Sequence, residues 1–345
     1  MVHKKSSSIV VFLLLLLLVL MITGLFQGPA HISVQAALSV FAEQLGWSLA
    51  LTETRPWMHT VLIDVRVPRI LVAACAGACL AICGAVMQGM FRNPLASPSI
   101  LGVSSGASLG AVCALYSGLA AVSVWTLPLF ASVGACLTLL LIYRIASQRG
   151  QMAIGTLLLA GVAIGALNTS ASSFILSLSL NSWEVGRTII YWTMGGLEGR
   201  TWDHVLLIVP VAVLGIGGLL LFARNLDALL LGEVHAASIG VDVMRTRIRL
   251  LLITSLLVGG TISVCGGIGF IGLVVPHIIR LLLGPHHRYL LPASALGGAV
   301  FLVAADLALR VFVPEKSIPL GVITAMFGAP FFVFLLIKKR WSVQV

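Results

Sequence analysis

The sequence predicts an all-α polytopic membrane protein of about ten transmembrane helices, and three observations predict it. Of the 345 residues, 59% are hydrophobic and 9% charged, with a mean hydropathy of +1.10; soluble domains run at about 45–50% apolar and about 25% charged. A hydrocarbon core about 30 Å thick takes about 20 apolar residues per helix, so this apolar content suffices for about ten spans. The apolar stretches are long and lack two-residue alternation, which argues for helices over a β-barrel. A soluble globular or disordered chain is excluded by the same composition. The formal charge of +10 resembles a nucleic-acid or anionic-lipid signal until topology is considered.

The first run, Ile9 to Phe26, holds 18 residues without a charge and follows His3, Lys4 and Lys5. A cleaved signal core is usually about 7–15 residues, so this run predicts a retained first helix near 9–26. Residues 27–64 carry Glu43, Glu53 and Arg55 with Trp47, Trp57 and His59, a mixture suited to an outer-face segment lying along the interface. From Arg66 onward the punctuation predicts helices near 67–90, 98–118, 121–143, 153–178, 204–223, 249–265, 268–283, 290–312 and 318–337, in a single domain covering 1–345. The run Leu250 to Ile279 is long for one upright span and short for two. Gly266, Gly267, Gly269 and Gly272 permit the backbone angles of a tight reversal there.

With the N-terminus inside, fourteen of the 21 Lys and Arg fall on the cytoplasmic side. Outside lie Arg55, Arg66, Arg69, Arg187, Arg200, Arg310 and Lys316, while of the acids only Asp227, Glu233 and Asp242 lie inside. Both termini are therefore expected in the cytoplasm. The positive excess reports orientation in a lipid membrane and not a nucleic-acid partner.

No glycine precedes any lysine, so the chain has no GxxxxGK[ST] loop and any use of ATP belongs to a partner. The single GxGxxG, Gly267 to Gly272, sits in an apolar run without the strand and acid of a dinucleotide site. Gly102, Gly106 and Gly110 recur every four residues with serines between, forming a stripe for close helix packing or a wall of a passage. Cys75, Cys79 and Cys83 share that spacing but read as small packing residues, with no disulfide framework and no metal set. His277, His286 and His287 lack ligand spacing and read as structural or interfacial. Asp306, well inside a span, has Arg310 four residues on as an ion-pair partner. No cofactor, metal or catalytic constellation is expected.

The strings Arg66-Val-Pro-Arg69, Gly84-Ala-Val-Met-Gln88, Arg92-Asn-Pro-Leu-Ala-Ser-Pro98 and Leu101-Gly-Val-Ser-Ser-Gly-Ala107 resemble the permease family of ABC importers for iron chelates, haem and cobalamin. The resemblance continues through Leu157–Gly161, Tyr191–Gly196, Gly232–Gly240, Gly269–His277 and Pro319–Thr324, covering roughly 66–340. It implies a type II importer permease: ten helices, a second copy forming a homodimer, and a path along the dimer axis. Two cytoplasmic ATP-binding subunits and an extracytoplasmic substrate-binding protein complete such a machine, in the bacterial cytoplasmic (inner) membrane.

By position, the resemblance assigns Arg66, Arg69 and Arg310 to docking of the binding protein, a role that suits a guanidinium fork facing carboxylates; interfacial snorkelling is the alternative. It assigns coupling to the ATPase to residues 231–241, with Leu231, Gly232, Glu233, Ala236, Ala237 and Gly240 as the carriers within a loop at 225–248. It places a cytoplasmic gate at Asn93 and Leu95, where Pro94 and Pro98 prevent a continuous helix. A second gate segment is not carried over, because Ile154-Gly155 stands where some members have Thr-Ser. The expected function is a non-enzymatic permease for a ferric siderophore, with haem or cobalamin as alternatives. An ion-coupled secondary transporter and an intramembrane enzyme are the competing classes.

Overall fold

Proline and glycine set where the helices of this bundle begin, bend and stop. The computed structural model describes residues 2–47, 53–94, 96–148, 151–152, 154–179, 182–313 and 318–342. In chain order the helices are α1 (Val2–Phe26), α2 (Val34–Gln44), α3 (Pro56–His59), α4 (Val67–Met90), α5 (Val103–Tyr116), α6 (Thr126–Ala146), α7 (Ile154–Ser179) and α8 (Trp183–Thr193). They are followed by α9 (Trp202–Leu221), α10 (Ala223–Leu230), α11 (Glu233–Ser238), α12 (Val243–Cys265), α13 (Ile271–Leu283), α14 (His287–Phe312) and α15 (Leu320–Ser342). Among the described residues seven helices are long and apolar enough to cross a membrane, and three shorter apolar ones, Val103–Tyr116, Ile271–Leu283 and Leu320–Phe334, bring the apolar set to ten. The remaining helices are short elements between them.

The details differ from the sequence expectation where local chemistry overrides hydropathy. The expected interfacial stretch 27–64 folds into α2, capped by the Ser33 hydroxyl that accepts from the Ala36 N–H at 3.2 Å, and into α3. A π-helical turn, Thr60–Arg66, then joins α3 to α4 without a break. Pro68 lacks an N–H, and just before it Val67 donates to Leu62, five residues back, which shifts the ladder for one turn. The helix expected at 98–118 begins only at Val103, because 98–102 is a series of turns ending on Gly102 at φ 68. The break between α12 and α13 lies in the glycine cluster, with Gly266 at φ 68 and Phe270 at φ 65.

Burial orders the bundle: 78% of the spanning window that includes α4 and 72% of that in α12 is buried, against 6% for α1 and 17% for α7. Helices α4 and α12 are thus the core, and α1 and α7 lie at its periphery. Helix α14 runs antiparallel to α4, since Gly77 backs onto Gly298, Gly89 meets His287, and both Ile70 and Arg310 meet Gly24 of α1. Glycines make these approaches: a Cβ on Gly77 would stand 2.1 Å from the Gly298 carbonyl oxygen, and one on Gly134 would stand 2.2 Å from that of Gly106. Small residues that let backbones meet are the main means of helix association in lipid. At about 1.5 Å per residue, α4 separates the two ends of the molecule by about 36 Å.

Candidate functional site

At the end carrying α2 and α3, the start of α4 meets the end of α14. Asp306, 1% exposed, receives Arg69 from α4, with Nη2 at 2.7 Å from Oδ1, and Arg310 from its own helix, with Nε at 3.1 Å from Oδ2. The i,i+4 pair seen in sequence is therefore half of a triad that ties α4 to α14. Arg310 also donates to the Gly24 carbonyl at 3.0 Å, and Arg66 donates to the carbonyls of Leu25 and Ala30. These two arginines cap the last turn of α1 and the loop after it, where carbonyls lack intrahelical partners. Of the three expected docking residues, Arg66 and Arg310 are buried at 4% and 8%, and Arg69 is the one lining a cavity of about 210 Å³.

Residues not singled out in sequence share that cavity. Arg200 and Trp192 line it, and the Arg200 Nε and Trp192 Nε1 are buried with no hydrogen-bond partner among the described residues. Among the described residues Arg200 reaches the Gly196 carbonyl at 3.4 Å and His204 at 3.5 Å. Their membership follows from the backbone junction of Gly195, Gly267 and Gly321, in which a Cβ on Gly195 would stand 2.4 Å from the Gly267 oxygen. Spacing along the chain does not disclose that junction.

Between α5, α7 and α8 lies a cavity of about 500 Å³ lined by Ser99, Ser104, Ser105, Ser108, Thr169, Ser172, Ser173 and Thr193, together with the glycine break before α13. The stripe on α5 divides its work by face. Gly106 and Gly110 pack on α6, against Gly134 and Phe130, and Gly102 packs against Gly161 and Gly165 of α7, while the serines between them line the cavity. Asn168 of α7 donates to Thr138 at 2.9 Å and to Ser105 at 3.4 Å, fixing this wall.

At the opposite end, α10 and α11 form a small hairpin with its own buried cluster, Ala228, Leu229 and Ala236. Gly232 at φ 111 and Gly240 at φ 87 bound α11, conformations that L side chains rarely adopt. Leu231, Val234 and Ile239 project outward at 69%, 87% and 58% exposure, while Ala236 is buried and Ala237 exposed. Val234, the most exposed of them, falls inside the 231–241 stretch but is not among the carriers that the resemblance assigns. Glu233 is held at 2.6 Å by Arg247 of α12, whose side chain is 4% exposed. Asp227 of α10 accepts from both the backbone N–H and Nδ1 of His287, at 2.7 and 2.8 Å. Burial alone would raise the Asp227 carboxyl, but the His287 hydrogen bonds and the charges of His287 and His286 outweigh it and leave the group below 3.8.

Near this end Arg92, at φ 48, opens the turn that carries Asn93. Ala96 donates to the Asn93 carbonyl at 3.1 Å; Leu95 lies outside the described residues. Gln88, 1% exposed, anchors the turn by donating to the Leu273 carbonyl at 3.2 Å and accepting from Arg280 at 3.3 Å. Among the described residues no group of three or more His, Cys, Asp or Glu side chains gathers as a metal site.

Ten apolar helices, a hydroxyl-lined cavity among them, a charged cluster at one end and an exposed apolar knob at the other define a membrane transport permease. The model of the FecCD transport family matches residues 15–338, and the chain belongs to that family. It is 47% identical to a cobalamin import permease of Halobacterium salinarum over 81% of this chain and 73% of the relative. It is also 41% identical to a ferric dicitrate permease of Escherichia coli, over 82% of this chain and 86% of the relative. A hemin permease of Yersinia pestis is 40% identical over 84% and 86%. Among solved structures, a transporter described as of metal-chelate type, in an inward-facing conformation, superposes with a TM-score of 0.84 at 30% identity, covering 96% of this chain and 99% of its own. Permeases of this family belong to ABC importers, which work with ATP-binding subunits and substrate-binding proteins.

Proposed function

We propose that this chain is the membrane-spanning subunit of an importer for a ferric chelate of siderophore type, acting as a homodimer in the bacterial cytoplasmic (inner) membrane with both termini on the ATPase side. The observation that carries the reading is the knob on α11, where Leu231, Val234 and Ile239 stand exposed on a hairpin fixed from behind by Glu233–Arg247 and Asp227–His287. An apolar knob on a rigid base fits a groove on a partner and passes on that partner's movement by packing. Hydrolysis belongs to two ATP-binding partners, a division supported by the missing phosphate loop. Lys and Arg are concentrated on the side expected to be cytoplasmic, which supports the orientation.

Cargo arrives from a substrate-binding protein docked at the α2 end, where Arg69 borders the open cavity and Arg66 and Arg310 hold the end of α1 from inside. It passes the hydroxyl-lined wall and leaves when the turn at Asn93 and Leu95 opens. A neutral hydroxyl wall hydrates polar cargo without holding it tightly, as passage requires. Cobalamin is the second reading, favoured by the 47% identity to a cobalamin import permease. Reconstitution in vesicles with the ATPase and binding protein tests the proposal: uptake of a ferric siderophore should require ATP, and uptake that persists without ATP defeats it. Competition by haem and by cobalamin in the same vesicles ranks the cargoes.

A further inference from the structure

His287 is the first residue of α14 and is 0% exposed although it follows a loop at the end of the bundle. Three helices meet on its ring. Its Nδ1 lies 2.8 Å from Oδ1 of Asp227 on α10, and the same oxygen takes the His287 backbone N–H at 2.7 Å. One carboxylate from another element thus caps α14 and orients the imidazole. With Nδ1 donating, Nε2 is left on the far edge, where it is buried and has no hydrogen-bond partner among the described residues. That edge rests on α4: a Cβ added to Gly89 would stand 2.2 Å from Nε2 and 2.8 Å from Cε1. The ring is a flat spacer, fixed by a charge-assisted bond on one side and seated on a bare glycine on the other.

The three helices are those that matter for coupling. Helix α10 shares a buried cluster with the α11 knob, so the two move as one hairpin. Gly89 is in the last turn of α4, three residues before Arg92, where the backbone turns at φ 48 toward Asn93. The hairpin is also tied by Glu233 to Arg247 of α12, and α10 itself packs along α4, so the His287 contact adds a fixed point to a face already in contact. We propose that His287 is a positioning residue that transmits movement of the ATPase-facing hairpin to the gate turn, Asp227 being the grip on the hairpin and Gly89 the seat on α4. Close packing makes such a contact act as a rigid strut, because interfaces shift between discrete arrangements and do not deform continuously. The inference rests on the proposed importer function.

The test uses the complete machine in vesicles and reads cargo imported per ATP hydrolysed, alongside binding-protein affinity and melting temperature. His287→Asn keeps a donor near Asp227 and removes the ring edge from Gly89; Gly89→Ala drives a methyl into that edge. Each should lower the import-to-hydrolysis ratio by about tenfold, with docking affinity within about twofold of wild type. The two together should recover much of the ratio, since the methyl fills the space the ring vacates. Ratios within about twofold of wild type in both single variants overturn the inference, as does a fall in ratio matched by an equal fall in docking affinity. A wild-type machine that shows no ATP-dependent uptake sinks the importer reading instead, and is told apart by occurring before any substitution.

Discussion

Replacing Gly77 by alanine tests a close core crossing, that of α4 on α14. The new Cβ would stand 2.1 Å from the Gly298 carbonyl oxygen, 2.7 Å from its carbon and 2.9 Å from Leu302 Cβ. An ordinary carbon–oxygen contact is about 3.3 Å, so the helices must part by about 1.2 Å. A gap of about 1 Å forfeits up to about half of each contact's dispersion energy along the crossing. Overpacking typically costs about 1–3 kcal/mol, and the upper figure applies because the obstacle is backbone and not a mobile side chain. Alanine returns about 1 kcal/mol of helix propensity, leaving a net loss of about 2 kcal/mol. Gly217 of α9 is the control, since nothing lies within 4 Å of a Cβ there; alanine at that position should gain about 1 kcal/mol. Equilibrium unfolding in mixed micelles should therefore separate the two variants by about 3 kcal/mol. Gly298→Ala meets the Gly77 oxygen at the same 2.1 Å. Parting the helices once clears both clashes, so the double variant should cost about 1 kcal/mol less than the sum. A Gly77→Ala protein as stable as Gly217→Ala would refute the close backbone contact.

Three further outcomes follow from the two ends of the bundle. Asp306→Asn leaves Arg69 and Arg310 without their shared counter-charge in a buried site, at a cost of about 3–5 kcal/mol; wild-type unfolding would show that the triad is not a structural tie. Arg69→Glu should weaken binding-protein docking most at low salt, where charges are least screened, and an unchanged affinity in low salt removes Arg69 from that role. Gly232→Trp places a side chain at φ 111 beside the knob and should leave ATP hydrolysis running without import, so full ATP-driven transport in that variant argues against the coupling role of α11.

Much of the architecture was legible because the solvent imposes it. A chain in lipid must satisfy its backbone within helices, so composition and run length already give an all-α bundle of about ten spans. Proline and glycine marked the α12–α13 break and the turn after Met90, because their backbone effects are local. The site was legible in part. Motif marked out the stretches holding Gly232, Glu233, Val234, Gln88 and Trp192, and helical spacing paired Asp306 with Arg310, but neither showed that Val234 is exposed, that Gln88 is buried or that Trp192 and Arg200 share a cavity. Their roles depend on burial, exposure or contacts made by residues distant in sequence.

The arginines show the division most clearly. Sequence by itself determined that Arg66, Arg69 and Arg310 are guanidiniums at the non-basic end of a membrane bundle, since hydropathy and charge bias are properties of the chain alone. Only the tertiary structure decided what each one does there. Arg66 and Arg310 turn inward to cap the carbonyls ending α1, and Arg69 reaches across to Asp306, 237 residues away in sequence, with one edge on an open cavity. A guanidinium's task is set by the nearest unsatisfied oxygen, and which oxygen is nearest is fixed by where glycines allow the helices to cross.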